Sequence, residues 1–347
     1  MTDHAGPVGI VQVAARAGVS QATVSRALRG HPGVSPATRA RVREAAAELG
    51  YAPSAFAAAL ARGRSNAVGV VSPWISRWFF ATVLEGIHEV LAEHSYDMLL
   101  YPLGPADGSE AARITALGLH KRVDGVIGLA LPHELRAGAL RQVPIVTVGT
   151  STPGIPGVQV DDVDVGYVAT RHLLELGHRR IAFLGLDPDD IYGFQVAADR
   201  YAGYRAALHE AGIDPDAGLV ETTGFEVEAG EAALEELLVR CEWNPARLPT
   251  AIVAVSDEVA LGAIYAARHR GIRVPADLSV VGVDNHDMAR LFDLTTVEQP
   301  VADQGRIAAR MLMDLMRTGQ VPDPPVVRFP PGLIERGSTA APRQVHP

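Results

Sequence analysis

Between Ile10 and Gly50 the apolar positions repeat at helical spacing in three short runs. In "IVQVAARA" they recur three and four apart, and the run stops at Gly18, a residue suited to a turn that needs positive φ. A second helix is expected after Ser20, with Val24, Ala27 and Leu28 on one side and Gln21, Ala22, Ser25 and Arg26 on the other. Ser20 is placed to cap it by accepting from the Thr23 amide. The third begins at "SPATRARV", with Ser35 as cap and Pro36 in the first helical position, and ends near Gly50. Helix, Gly-containing turn, helix and supporting helix is the helix-turn-helix plan.

The pattern then changes. "PSAFAAALARGRS" can be helical from about Ser54 to Ala61, but is too short to hold that helix alone in water. From Ala67 onward, continuous apolar runs such as "AVGVVS", "VDGVIGLAL", "RIAFLGL", "TAIVAVS" and "LSVVGVD" alternate with amphipathic helices. Such runs read as parallel strands buried on both faces, so the fold class is α/β with doubly wound sheets in two lobes. A ligand is expected in the cleft near the carboxyl ends of the strands.

Charge sharpens this division. The chain carries a net charge of -9, yet residues 1–65 hold eight arginines against Asp3, Glu44 and Glu48, which leaves +5 there and -14 on the rest. A basic head on an acidic body fits a module that meets a polyanion. Among the 347 residues the single cysteine, Cys241, forms no internal disulfide, and no signal-like start or membrane-length apolar run is present. A cytoplasmic location away from membranes is therefore expected.

On the outer face of the second helix, Gln21 can pair an adenine edge, Arg26 a guanine, and Ala22 can touch a thymine methyl. Ser20, Thr23 and Ser25 suit phosphate oxygens. The alternative is a three-helix bundle that binds no DNA. The chain shows no P-loop, GxSxG elbow, HExxH helix or clustered cysteine ligands, so no enzyme, metal or cofactor is expected.

"VAARAGVSQATVSRAL", "VSPATRARV" and "LGYAP" closely resemble the DNA-binding head of the lactose-repressor (LacI/GalR) family, and the resemblance continues through "HLLELGHRRIAFLG", "RYAGYRAAL", "SDEVALGAIYAARHRGIRVPADLSVVGVDN", "LTTVEQP" and "LIERGST". It implies a head over 1–52, a hinge helix over 53–66 and an effector core over 67–340 resembling periplasmic sugar-binding proteins. One lobe would comprise about 67–162 and 294–322, the other about 163–293 and 323–340, with chain crossings near 162, 293 and 323. Leu60 would be the hinge wedge inserted into the minor groove and Arg62 a phosphate contact. The alternative is a flexible linker with Leu60 packed on its own protein.

The resemblance further implies that Arg200 donates to ligand hydroxyls or carboxylates, that Asp284 accepts from sugar hydroxyls, and that Phe79 offers an aromatic platform. Without it, Arg200 and Asp284 read as ordinary ion-pair members. Three departures bear on the ligand: Arg77 and Trp78 replace a common Asn-Pro, and Ser256 stands where Asn is frequent. Trp78 and Ser256 are expected in the pocket, and Arg77 admits a phosphorylated or acidic sugar; buried core is the other reading of Trp78. Gly9 and Gln12 replace the capping Thr and Asp of the first helix. The function expected is a transcription regulator, a repressor, that binds a palindromic operator as a homodimer under control of a carbohydrate effector. The rival is a cytoplasmic sugar-binding receptor without gene control.

Overall fold

The computed structural model describes residues 8–51, 64–103, 118–129, 143–149, 153–185, 195–244 and 246–343. The chain divides into two compact units, 1–66 and 67–347.

The first unit holds α1 (Ile10–Ala17), α2 (Gln21–Leu28) and α3 (Pro36–Glu48). Val13, Ala17, Val24, Ala27, Val42 and Ala45 form its small core. The turn between α1 and α2 is set by Gly18, at φ 63°, and by Ser20, whose Oγ accepts from Thr23 N at 3.1 Å. Although Gly9 has no side chain to cap α1, Gln12 Oε1 accepts from Gly9 N at 2.8 Å, which retains half of the reciprocal cap expected to be lost. Behind α2, Arg39 reaches back to the His31 carbonyl at 3.0 Å and fixes the loop into α3.

The second unit contains two six-stranded sheets. The first comprises β1 (Ala67–Ser72), β2 (Asp97–Pro102), β3 (Gly125–Leu129), β4 (Ile145–Val148), β5 (Gly157–Val160) and β11 (Val326–Phe329), in the order β11-β5-β4-β3-β1-β2 and parallel throughout. Helices α4 (Trp78–Glu93) and α9 (Val301–Thr318) pack against it. The second comprises β6 (Ile181–Leu184), β7 (Val220–Glu221), β8 (Ala251–Ala254), β9 (Ser279–Asp284), β10 (Thr295–Glu298) and β12 (Gly332–Ile334). Its order is β12-β10-β9-β8-β6-β7, parallel except for β12. Around it lie α5 (Asp162–Glu175), α6 (Val196–Glu210), α7 (Val227–Arg240) and α8 (Asp257–His269).

Two crossings differ from the sequence expectation. Thr295–Glu298 pairs with β9, so the chain leaves the second sheet after Glu298 and not near 293. Val326–Phe329 pairs with β5, so the return falls after Phe329 and not near 323. Four-residue apolar strands do not declare their sheet; pairing partners distant in sequence decide it.

The α5–α6 contact positions the site. Gly166 and Gly203 let the two backbones meet so closely that a methyl on Gly166 would strike the Arg200 carbonyl and one on Gly203 the Val163 carbonyl. That approach carries Arg200, on α6, toward Asp162 at the start of α5.

Candidate DNA-reading helix and effector cavity

In the first unit the polar face of α2 is open to solvent: Gln21, Ala22 and Arg26 are exposed, Thr23 and Ser25 half-buried, and Ser20 exposed at the cap. Arg26 Nε donates to the Ala22 carbonyl at 3.3 Å and Arg29 Nε to that of Ser25 at 3.1 Å, each one turn back along the helix. Ser20 Oγ also lies 2.9 Å from Thr23 Oγ1. The apolar face of α2 is consumed by the head core, so only this polar face is available to a partner. Leu60 and Arg62 lie outside the described residues.

In the second unit a cavity of about 280 Å³ opens at the carboxyl ends of both sheets. Residues immediately after strands supply much of its wall: Trp74 after β1, Gly149 after β4, Ser256 after β8 and Gln299 after β10, with Asp284 itself ending β9. Phe79, Arg200, Ser256 and Asp284, singled out from sequence, all line it.

Arg200 is 4% exposed. Its Nε donates to Asp162 Oδ1 at 2.8 Å, and its Nη1 donates to the Val255 carbonyl, tying α6 to α5 and to the end of β8. Burial pushes the Asp162 carboxyl up, and the facing guanidinium only partly offsets this. Asp284 accepts from Gln299 Nε2, and Gln304 Nε2 in turn donates to Gln299 Oε1 at 3.3 Å. Burial also raises Asp284, with Arg200 acting in the opposite sense. Its backbone sits at φ 124°, a conformation costing a non-glycine residue on the order of 1–3 kcal/mol. Beneath it, Asp257 is held by Thr296 Oγ1 at 2.7 Å and the His286 amide at 2.8 Å, and burial lifts its carboxyl well above the usual range.

Ser256 lines the cavity and caps α8, accepting from Val259 N at 3.3 Å. The aromatic lining is wider than Phe79 alone. Trp74 lies 5.5 Å from Phe80, Phe79 meets Phe80 edge-on at 5.2 Å, and Phe225 closes the opposite side.

Trp78 does not line the cavity, contrary to expectation. Its Nε1 donates to Asp287 Oδ2 at 3.2 Å, and its ring lies 4.9 Å from that of His286, so it joins the start of α4 to the loop after β9. Arg77 does reach the wall, where its guanidinium lies 4.0 Å from the centre of the Trp74 ring and pairs with Glu226, the N-cap of α7. Arg77 and Trp78 thus each connect the first lobe to the second.

Sequence reasoning missed Trp74, Asp162, Glu226, Glu258, Gln299 and Gln304 in the wall. Gln299 sits inside the motif "LTTVEQP", but nothing in its spacing shows that its amide serves Asp284. Among the described residues, no group of three or more His, Cys, Asp or Glu is arranged to hold a metal, and no helix is long and apolar enough to cross a membrane.

Comparison with known proteins places both units. Residues 10–54 match the bacterial regulatory proteins of the lacI family, and residues 170–339 match a periplasmic binding protein-like domain. The chain is 34% identical to catabolite control protein A of Priestia megaterium, over 96% of this chain and 99% of that protein. It is 35% identical to the HTH-type transcriptional repressor CytR of Escherichia coli (strain K12), over 95% of each. A crystal structure of the lac repressor dimer bound to operator and the anti-inducer ONPF superposes with a TM-score of 0.83 at 26% identity, covering 97% of this chain and all of that one. The complex of the transcriptional regulator CelR with cellobiose gives 0.69 at 33% identity, covering 95% and 99%. By these matches over nearly its whole length, the chain belongs to the lacI family of bacterial regulatory proteins and is a DNA-binding transcriptional regulator.

Proposed function

We propose that this regulator represses transcription from a palindromic operator, which it binds as a dimer, and that a carbohydrate in the core cavity sets its operator affinity. Each head would supply one half-site. Gln21, Ala22 and Arg26 would meet base edges while Ser20, Thr23 and Ser25 hold phosphates, with Leu60 as the minor-groove wedge and Arg62 on the backbone. The related regulator solved with cellobiose and the repressor dimer solved on its operator support this division of labour.

The observation that carries the effector half is the cavity wall, shared between the two lobes. The first lobe contributes the Trp74, Phe79 and Phe80 rings, and the second contributes Arg200, Asp284 and Phe225. A ligand touching both lobes binds one degree of closure better than another and so shifts their equilibrium. The coupling to DNA affinity expected of such a device is about 1–3 kcal/mol.

The test is selection of random duplex DNA by the full-length protein, followed by titration of the selected site against salt and against a sugar panel. Enrichment of a palindrome, affinity that falls steeply with salt, and a sugar that changes it are expected. Enrichment of a site whose affinity no sugar alters would remove the carbohydrate and leave the reader. Enrichment only when a sugar is present would make that sugar a co-repressor and not an inducer.

A further inference from the structure

The cavity holds two guanidinium groups, and on that ground alone a phosphorylated or acidic ligand would fit. Their pairing argues otherwise. Arg200 is committed to Asp162 and the Val255 carbonyl, and Arg77 to Glu226 and the face of Trp74. Two further carboxylates, Glu258 and Asp284, stand in the same wall. Among the described residues neither forms a salt bridge, although Arg77 acts on Glu258 and Arg200 on Asp284 from further off. Among the described lining residues, four carboxyl groups therefore stand against two guanidinium groups.

A second observation concerns hydrogen bonding. Gln304 is fully buried at the cavity, and its Oε1 has no partner among the described residues. Its amide nitrogen is used on Gln299, whose own amide nitrogen is used on Asp284. One amide N–H of each glutamine is spent inward, and the wall keeps an unmatched acceptor in Gln304 Oε1 beside the Glu258 and Asp284 carboxyls. Burial holds both carboxyls above the usual range, and Arg77 and Arg200 offset this only in part. A buried acceptor left unmatched is costly, so the ligand that belongs here brings donors.

Resting on the carbohydrate reading above, we infer that the cavity selects an uncharged, hydroxyl-rich ligand with one apolar face and rejects its phosphorylated and carboxylated counterparts. The hydroxyls donate to Gln304, Glu258 and Asp284, and the apolar face lies on the Trp74 and Phe79 rings. A phosphate would instead enter a wall with more carboxyls than guanidinium groups, and both guanidinium groups are already bridged to carboxylates.

The experiment titrates the intact protein by calorimetry with matched probes: glucose, glucose 6-phosphate and glucuronate; ribose and ribose 5-phosphate; cellobiose and cellobionate. A neutral member is expected to bind, with its anionic partners weaker by roughly 100-fold or more, the size expected for an uncompensated buried charge. An anionic member binding as tightly as its neutral parent, or more tightly, overturns the charge inference while leaving the carbohydrate reading intact. Silence from all probes, by a protein that still binds its selected operator, rejects the carbohydrate reading and this inference with it.

Discussion

Arg26 stands exposed on α2, its Nε turned back onto the Ala22 carbonyl, whereas Arg200 is 4% exposed, with one nitrogen on Asp162 and another on the Val255 carbonyl. Both are arginines that sequence motifs marked for function, yet they stand in opposite relations to their own fold. Removing the first exposes no buried charge and disturbs no core residue. Removing the second leaves Asp162, whose carboxyl burial has already raised, facing no guanidinium. The role proposed for Arg26 is therefore separable from stability, and the one proposed for Arg200 is not.

The largest expected effect tests the second half of that contrast. Arg200→Ala should lower the stability of the 67–347 unit by about 3–5 kcal/mol, the usual result of breaking one side of a buried ion pair, and should abolish any ligand response. Thermal denaturation of the full chain with and without ligand reads both. A variant that melts like the wild type would mean that the Asp162 pairing contributes nothing to the fold. Asp162→Asn in the Arg200→Ala background should restore part of the loss, because it removes the stranded charge.

Next in size is Arg26→Ala. It should weaken operator binding by about 1–3 kcal/mol and relax preference at one base position, with an unchanged denaturation curve. A uniform loss across all sequences would instead make Arg26 a phosphate contact and pass the reading role to Gln21.

A pH series separates a strained acid from an ordinary one. Because burial raises Asp284 in the folded state, its relative contribution is favourable where it is protonated and is lost as pH rises through the folded value. Asp284→Asn removes that loss, so the stability of the variant relative to wild type should increase as pH is raised from about 5 to 8. Taking the difference cancels the buried His172 and His178, whose lowered values act on both proteins alike. A flat difference would mean that Asp284 titrates as if in water.

These cases also show what could be read in advance. The bounds of α2 follow from local chemistry: a serine cap, a glycine turn and one apolar stripe, all within eleven residues. Phe79, Arg200, Ser256 and Asp284 came to the cavity because each sits at a strand end or within a recognisable motif. Asp162, Gln299 and Gln304 were not legible, since their part depends on partners 38, 15 and 5 residues away in the chain. The same limit misplaced two lobe crossings, where only the pairing of β10 with β9 and of β11 with β5 settles the sheet.

The two tryptophans of "SPWISRWFF" give the smallest expected effect and the finest test. Composition cannot say which of Trp74 and Trp78 faces the ligand; the structure sends Trp74 into the cavity and turns Trp78 toward Asp287. Trp78→Phe preserves an aromatic ring beside His286 and deletes only the N–H donated to Asp287, a change worth about 1 kcal/mol or less at this partly exposed site. Stability should therefore hardly move, while ligand affinity shifts by a few-fold because one link between the lobes has been loosened. Trp74→Phe should weaken ligand binding more than Trp78→Phe, through loss of ring area in the wall. If Trp78→Phe were the more damaging of the two to binding, the second tryptophan would be the ligand platform after all, and the Asp287 contact a secondary feature of the open loop.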